Sequence, residues 1–252
     1  MEPIYFGEDA NTFGFFHPSP AVQSQKAVLI CPPTFVDFYR THQIVRETAI
    51  QLNNRGYDVF RFDFQGTGDS GGSLKNTSLK EWIENIVSAT HELIDITGIK
   101  KINVIGIRFS AALALLALAN KEIEHVSRLL LWDPIISGEG YIKELKQVQQ
   151  NFYDRYRTTS RLSYTDLVGT ELTGHDCSPS LIQSINSIDV QEKLENCTSK
   201  IDTTLLRSDS HQKYNSLPYT QINANCNWQT MTGSMLMDKE IIEKLVRSLE
   251  DK

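Results

Sequence analysis

The segment "NVIGIRFSAALALLAL", Asn103 to Leu118, passes from an apolar strand through glycine into an apolar helix, a geometry that can lift one side chain out of the backbone at its sharpest point. The residue there is Arg108. A guanidinium does not lose its proton near neutral pH, so it cannot attack a carbonyl, but its planar fork of donors suits a carboxylate or a phosphate. Ser110, two residues on, supplies a hydroxyl that fits a first-turn role, satisfying local backbone or contacting Arg108, or else a nucleophile, and "LLRSDSHQK" supplies Asp209 and His211, an acid and a base close together in sequence. Nucleophilic chemistry centred on Ser110 would need all three to meet.

Other residues could line the same place. Asp133 leaves a strand in "LLLWDP", where it can ion-pair with Arg108 or cap the following loop. Phe35, Phe38, Tyr39 and Trp132 can form an apolar wall, with core packing the competing role for Trp132. His17 and His42 can reach a pocket rim, whereas His91, His125 and His175 fit solvent-facing or local structural positions. No HxxxH pair, His/Asp facial set or CxxC pair occurs, so no metal is expected, and Cys31, Cys177, Cys197 and Cys226 read as reduced cysteines. "FDFQGTGDSGG" lacks the Lys-Ser/Thr ending of a phosphate loop and fails the GxGxxG spacing, so it reads as a turn and no nucleotide cofactor is expected.

These positions need a scaffold, and the hydrophobic pattern describes one. "PIYFG" and "TFGFFHP" can open as a hairpin; "KAVLICPP", "YDVFRFDF", "INVIGI", "RLLLWDP", "TTLLRS" and "YTQINAN" read as strands. Between them, "HQIVRETAIQLNNRG", "SLKEWIENIVSATHELIDITG" and "FSAALALLALAN" read as helices, with "KEIIEKLVRSLE" closing the chain. Strands alternating with covering helices predict a doubly wound α/β fold with a mostly parallel sheet. The stretch from Asp133 to Thr203 is too long for a simple connection and predicts two or more helices forming a cap. The expected division is therefore 1–134 and 201–252 for the core and 135–200 for the cap.

At 252 residues with 40% hydrophobic content, the chain suits one soluble main domain. Its net charge of −6 gives no broad attraction for polyanions, which argues against nucleic acid. "MEPIYFGEDANTFGFF" carries early acidic residues and no sustained apolar signal segment, so a cytoplasmic protein without integral membrane contact is expected.

The ordered set "CPP" (31–33), "DFQGTGDSGG" (63–72), "GIRFS" (106–110) and "LLLWDP" (129–134) resembles the α/β-hydrolase superfamily. Through "LLLWDPIISGEGYIKEL" it is similar to the divergent hydrolase-like proteins associated with exosortase systems. The resemblance implies a GxSxG elbow after the fifth strand of the superfamily core, in which Gly106 matches the first glycine, Arg108 stands at the serine and Ser110 at the final glycine. It also implies backbone oxyanion donors at Thr34 or Phe35 and at Phe109, an acid at Asp209, and a histidine near Cys226, Asn227 or Trp228, where none is present.

The expected function is binding of an acyl-like or anionic small molecule by a hydrolase fold, with Arg108, Phe109, Thr34, Phe35 and Asp133 around the ligand and without Ser-His-Asp hydrolysis. One alternative is an esterase or thioesterase built on Ser110, Asp209 and His211. Another, implied by the subgroup resemblance, is a non-catalytic protein in a surface-polysaccharide or envelope pathway, with a protein partner.

Overall fold

The computed structural model describes residues 1–21, 24–156, 171–208, 218–222, 226, 228 and 238–250. The opening aromatic-rich runs pair as an antiparallel hairpin, β1 (Glu2–Phe6) with β2 (Thr12–His17), which joins the sheet through β4 (Asp58–Phe62). From β4 onward the strands run parallel: β3 (Ala27–Cys31), β5 (Ile102–Ile107), β6 (Val126–Trp132), β9 (Asp202–Arg207) and the short β10 (Thr220–Gln221). The eight strands lie in the order β1-β2-β4-β3-β5-β6-β9-β10. The β3, β4 and β5 strands are buried along nearly their whole length because helices cover both faces.

One face is covered by α1 (Phe35–Asn53) and the terminal α7 (Lys239–Glu250), which pack Ile44, Ala49 and Leu52 against Ile241, Leu245 and Leu249. The other face carries α2 (Leu79–Thr97) and α3 (Phe109–Ala119). A reciprocal capping box fixes the start of α2: Ser78 Oγ accepts from the Glu81 N–H while the Glu81 carboxylate accepts from the Ser78 N–H. Gly98, with φ of 69°, ends that helix in the left-handed conformation. The α3 sequence is apolar on all sides, as a helix enclosed between sheet and neighbours requires.

Between β6 and β9 lie extra helical segments that resemble a cap insertion: α4 (Gly138–Tyr156), α5 (Pro179–Asn186) and α6 (Gln191–Thr198), with a small hairpin of β7 (Glu171–Leu172) and β8 (His175–Asp176). The α/β class and mostly parallel sheet agree with the sequence expectation. Three local readings change. The first helix starts at Phe35, directly after Pro32, Pro33 and Thr34, so it takes in "FVDFYRT" ahead of the expected "HQIVRETAIQLNNRG". Among the described residues of "YTQINAN", Thr220 and Gln221 form the strand in the sheet. The β7–β8 hairpin was not anticipated, since two-residue strands carry no alternation to read.

Among the described residues, no helix is long and apolar enough to cross a membrane. All four cysteines are buried and unbridged.

Candidate functional site

The β5–α3 junction is an elbow with Arg108 at its apex, at φ 55° and ψ −119°. A side chain in this region costs on the order of 1–3 kcal/mol, so the surrounding structure must hold it there. Three features do so. The Arg108 N–H donates to the Trp132 carbonyl and the Arg108 carbonyl accepts from the Ile135 N–H, tying the elbow to the end of β6. Gly106 lets the helix return close to the strand, since a Cβ there would lie 2.7 Å from the Ala111 backbone. Ser110 locks the inside of the turn: its Oγ accepts from the Ile107 N–H at 2.9 Å and donates toward the carbonyls of Cys31 at 2.7 Å and Ile107 at 2.9 Å.

Ser110 is thus completely buried with its hydroxyl committed to backbone. Of the two roles the sequence leaves Ser110, a hydroxyl satisfying local backbone in the first turn of a helix or a nucleophile, its contacts match the first: it is the elbow's internal brace.

Arg108 is 1% exposed. Its Nε donates to Asp37 Oδ2 at 3.2 Å and its Nη2 to Glu144 Oε1. The guanidinium carbon lies 4.8 Å from the Trp228 ring centroid and 5.8 Å from that of Tyr141, within cation–π range of both. Burial works against the Arg108 charge, but Asp37 and Glu144 outweigh it, so its pKa rises and the group stays protonated. Burial pushes Asp37 up, with Arg108 and Arg40 pulling the other way. The Tyr141 hydroxyl lies 3.5 Å from both Asp37 Oδ2 and Thr34 Oγ1, and burial raises its pKa as well.

Asp133, at φ 43° just past β6, accepts from the Ser208 N–H at 2.9 Å, from the Ser208 hydroxyl, and from the Trp228 indole N–H at 2.9 Å. Its charge also bears on Arg108. Asp133, Trp228 and Arg108 therefore form a continuous line from a buried carboxylate, through a ring N–H, to a ring face against the elbow residue. Arg40 closes the group from α1, donating from Nη2 to the Cys226 carbonyl at 2.8 Å, with its guanidinium carbon 5.8 Å from the Trp228 ring centroid.

The other sequence candidates separate. Phe35, at φ 55°, is buried against Trp82, Tyr141 and His175, while Thr34 is the extended residue that precedes α1. Phe109 is buried and stacked on Tyr141, with ring centroids 5.1 Å apart and planes 14° from parallel. Cys31 ends β3, buried, with its thiol pKa pushed up by desolvation. His17 pairs with Val59 near the start of β4, at the end of the sheet opposite the elbow, so it does not reach the site. His42 is exposed on α1. His175, expected in a solvent-facing or local structural position, stacks on Tyr39 at 5.8 Å and 9° because the β7–β8 hairpin folds it onto α1. Asp69 and Ser70 serve the turn after β4: the Asp69 N–H donates to Asp63 Oδ2 and the Ser70 hydroxyl to the Asp63 carbonyl. Asp209, His211 and Asn227 lie outside the described residues.

Sequence reading missed Asp37, Glu144, Arg40 and Tyr141. Helical spacing held the signal for α4: Tyr141, Leu145 and Val148 are buried on one face, and Glu144 is three residues after Tyr141. Asp37 became readable only once α1 was known to begin at Phe35. A cavity of about 560 Å³ opens between the β1–β2 turn and α2, but its lining, which includes Glu8, Glu81 and Glu84, takes in none of the elbow residues.

The family model for serine aminopeptidase, S33, matches residues 37–214, from the Arg108 partner Asp37 through the strand β9 and beyond. The chain belongs to the serine aminopeptidase S33 family. No curated protein matches it. Solved structures share this S33-family fold: Est1E from Butyrivibrio proteoclasticus at TM-score 0.59 and 14% identity, covering 88% of each chain; a hypothetical protein, PA2218, from Pseudomonas aeruginosa at TM-score 0.54 and 15% identity, covering 79% of this chain and 73% of that one; and an esterase from Exiguobacterium antarcticum at TM-score 0.50 and 15% identity, covering 81% and 79%. At these identities the likeness is one of fold. Within the S33-family fold, chemistry follows from the residues at the elbow and at the ends of the neighbouring strands.

Proposed function

We propose that this S33-family protein binds an acyl-like or anionic small molecule and does not carry out Ser-His-Asp hydrolysis. The observation that carries the reading is the line Asp133–Trp228–Arg108. In a hydrolytic triad the carboxylate accepts the ring N–H of a histidine whose second nitrogen takes the nucleophile's proton. Here Trp228 supplies the N–H to Asp133, but an indole has no basic nitrogen and donates only. Arg108 stands at the elbow apex, where it offers donors in place of a nucleophile. Both chemical partners are replaced while the spatial order of acid, ring and elbow residue is kept.

The buried Arg108 and the rings of Phe109, Phe35 and Tyr141 around it support an anionic head beside an apolar body. On this reading Arg108, Phe109, Thr34, Phe35 and Asp133 surround the ligand, residues 135–200 act as a cap, and the protein works in the cytoplasm. The alternative of a non-catalytic interaction protein in a surface-polysaccharide or envelope pathway draws on the likeness of "LLLWDPIISGEGYIKEL" to the exosortase-associated group. The Ser110-centred esterase is disfavoured by the commitment of its hydroxyl to Cys31 and Ile107.

The test is a panel of p-nitrophenyl esters and acyl thioesters of short and long chain, assayed with wild type, Ser110→Ala and Arg108→Ala. No turnover above background is expected. Robust turnover that is lost in Ser110→Ala and kept in Arg108→Ala would overturn the reading.

A further inference from the structure

We propose that Glu144 is a resident stand-in for the ligand, its carboxylate holding the place on Arg108 that the carboxylate of an apolar organic acid takes by displacing it. The inference rests on the anion-binding reading above and deepens it by naming the ligand class and the group that competes with it.

Among the described residues, the carboxylates of Asp37 and Glu144 pair with Arg108, and their access is unequal. The Asp37 side chain is 1% exposed and that of Glu144 is 22% exposed. The outer one is the partner that solvent reaches, and so the one that can exchange. The two also come from different parts of the molecule. Asp37 lies in the first turn of α1, packed on the sheet, whereas Glu144 projects from α4 in the segment inserted between β6 and β9. A rotation of the Glu144 side chain, or a small shift of α4, breaks its bond to Arg108 while the Asp37 pair stays in place.

The surroundings define what can replace it. The fork that accepts the Glu144 carboxylate accepts any planar carboxylate of similar approach. Beside it lie apolar rings buried in the core, the stacked pair Phe109–Tyr141 and Phe35, 6.2 Å from Tyr141, which form an apolar surround for the rest of the molecule once α4 shifts. Asp37 Oδ1 is buried without a hydrogen-bond partner; this acceptor suits a ligand that also brings a hydroxyl, or a carboxylic acid still carrying its proton. A phosphate dianion fits less well, because it would add a second negative charge to a cluster that already holds Asp37 and Asp133.

If Glu144 occupies the site most of the time, ligand affinity is reduced by the fraction of molecules in which the site is open. The experiment titrates the intrinsic tryptophan fluorescence of the full chain, in which Trp228 lies against Arg108, with sodium octanoate, octanamide and inorganic phosphate at constant ionic strength. Wild type, Glu144→Ala, Glu144→Gln and Arg108→Met are compared, with folding checked by far-UV circular dichroism. Saturable octanoate binding is expected in wild type, tightened about tenfold in both Glu144 variants, weak for octanamide, and lost in Arg108→Met. Octanoate affinity unchanged or weakened in folded Glu144→Ala overturns the displacement while leaving the anion-binding reading intact. Tightening seen for phosphate and not for octanoate overturns the ligand class. Absence of octanoate and phosphate binding in wild type and both Glu144 variants overturns both. Should Arg108→Met fail to fold, the Glu144 variants decide the outcome alone.

Discussion

Trp228 donates its indole N–H to Asp133 Oδ2 at 2.9 Å while its ring face lies 4.8 Å from the Arg108 guanidinium carbon. One side chain thus satisfies a buried carboxylate and shields a buried cation. Replacing it with phenylalanine keeps a ring but removes a donor from Asp133, which retains the Ser208 N–H and hydroxyl. Trp228→Phe should lose about 1–3 kcal/mol of stability in denaturant unfolding. A variant as stable as wild type would mean that Asp133 does not depend on the indole.

Arg108→Ser restores a hydroxyl at the elbow but leaves Asp37 buried without its cation. Removing one member of a buried pair costs about 3–5 kcal/mol, so a marked fall in the unfolding midpoint is expected. Ester turnover should not appear, because Trp228 cannot accept the serine proton. Adding Trp228→His supplies that acceptor next to Asp133, and the double variant should exceed either single variant by about 100-fold or more in p-nitrophenyl acetate hydrolysis. Equal activity in Arg108→Ser and the double variant would remove Trp228 from the explanation.

Ser110→Ala deletes the hydroxyl that accepts from the Ile107 N–H and donates to the Cys31 carbonyl. Loss of this buried brace should lower stability by about 1–3 kcal/mol, read from denaturant midpoints. Octanoate binding should stay within about twofold of wild type once measured below the unfolding transition.

His17 is buried at the far end of the sheet and accepts from Arg61 Nε at 3.4 Å. Desolvation, with help from the Arg61 charge, lowers its pKa from 6.5 to about 4. The native state therefore holds it neutral at pH values where the unfolded chain binds a proton. This group leaves stability unchanged above about pH 7 and draws it down as pH falls from about 6.5 to about 4, by up to about 3 kcal/mol. Measuring unfolding free energy between pH 7 and 4 for wild type and His17→Gln checks this. The wild-type slope should exceed that of the variant, and matching slopes would reject it.

The order of strands and helices was readable because apolar periodicity is a local property. The all-apolar α3 and the capping box of α2 each announce themselves within a few residues. The elbow was equally local, since a strand, Gly106 and a buried helix follow one another directly, so the sequence alone determined that Arg108 stands at the apex.

What holds Arg108 was decided only by tertiary structure. Asp37 lies 71 residues away in sequence and Glu144 lies 36 residues away; Trp228 meets Asp133 across 95 residues. No local pattern distinguishes these side chains from other acids and aromatics until α1, α4 and the end of β6 are brought together. The fate of Ser110 turned on the same distinction. Its residue type left open a nucleophile or a first-turn hydroxyl bonded to local backbone, and the close return of α3 onto β5 decided for the backbone of Ile107 and Cys31. Burial at that point makes a reactive residue type a structural one, and the guanidinium beside it meets the carboxylates of Asp37 and Glu144.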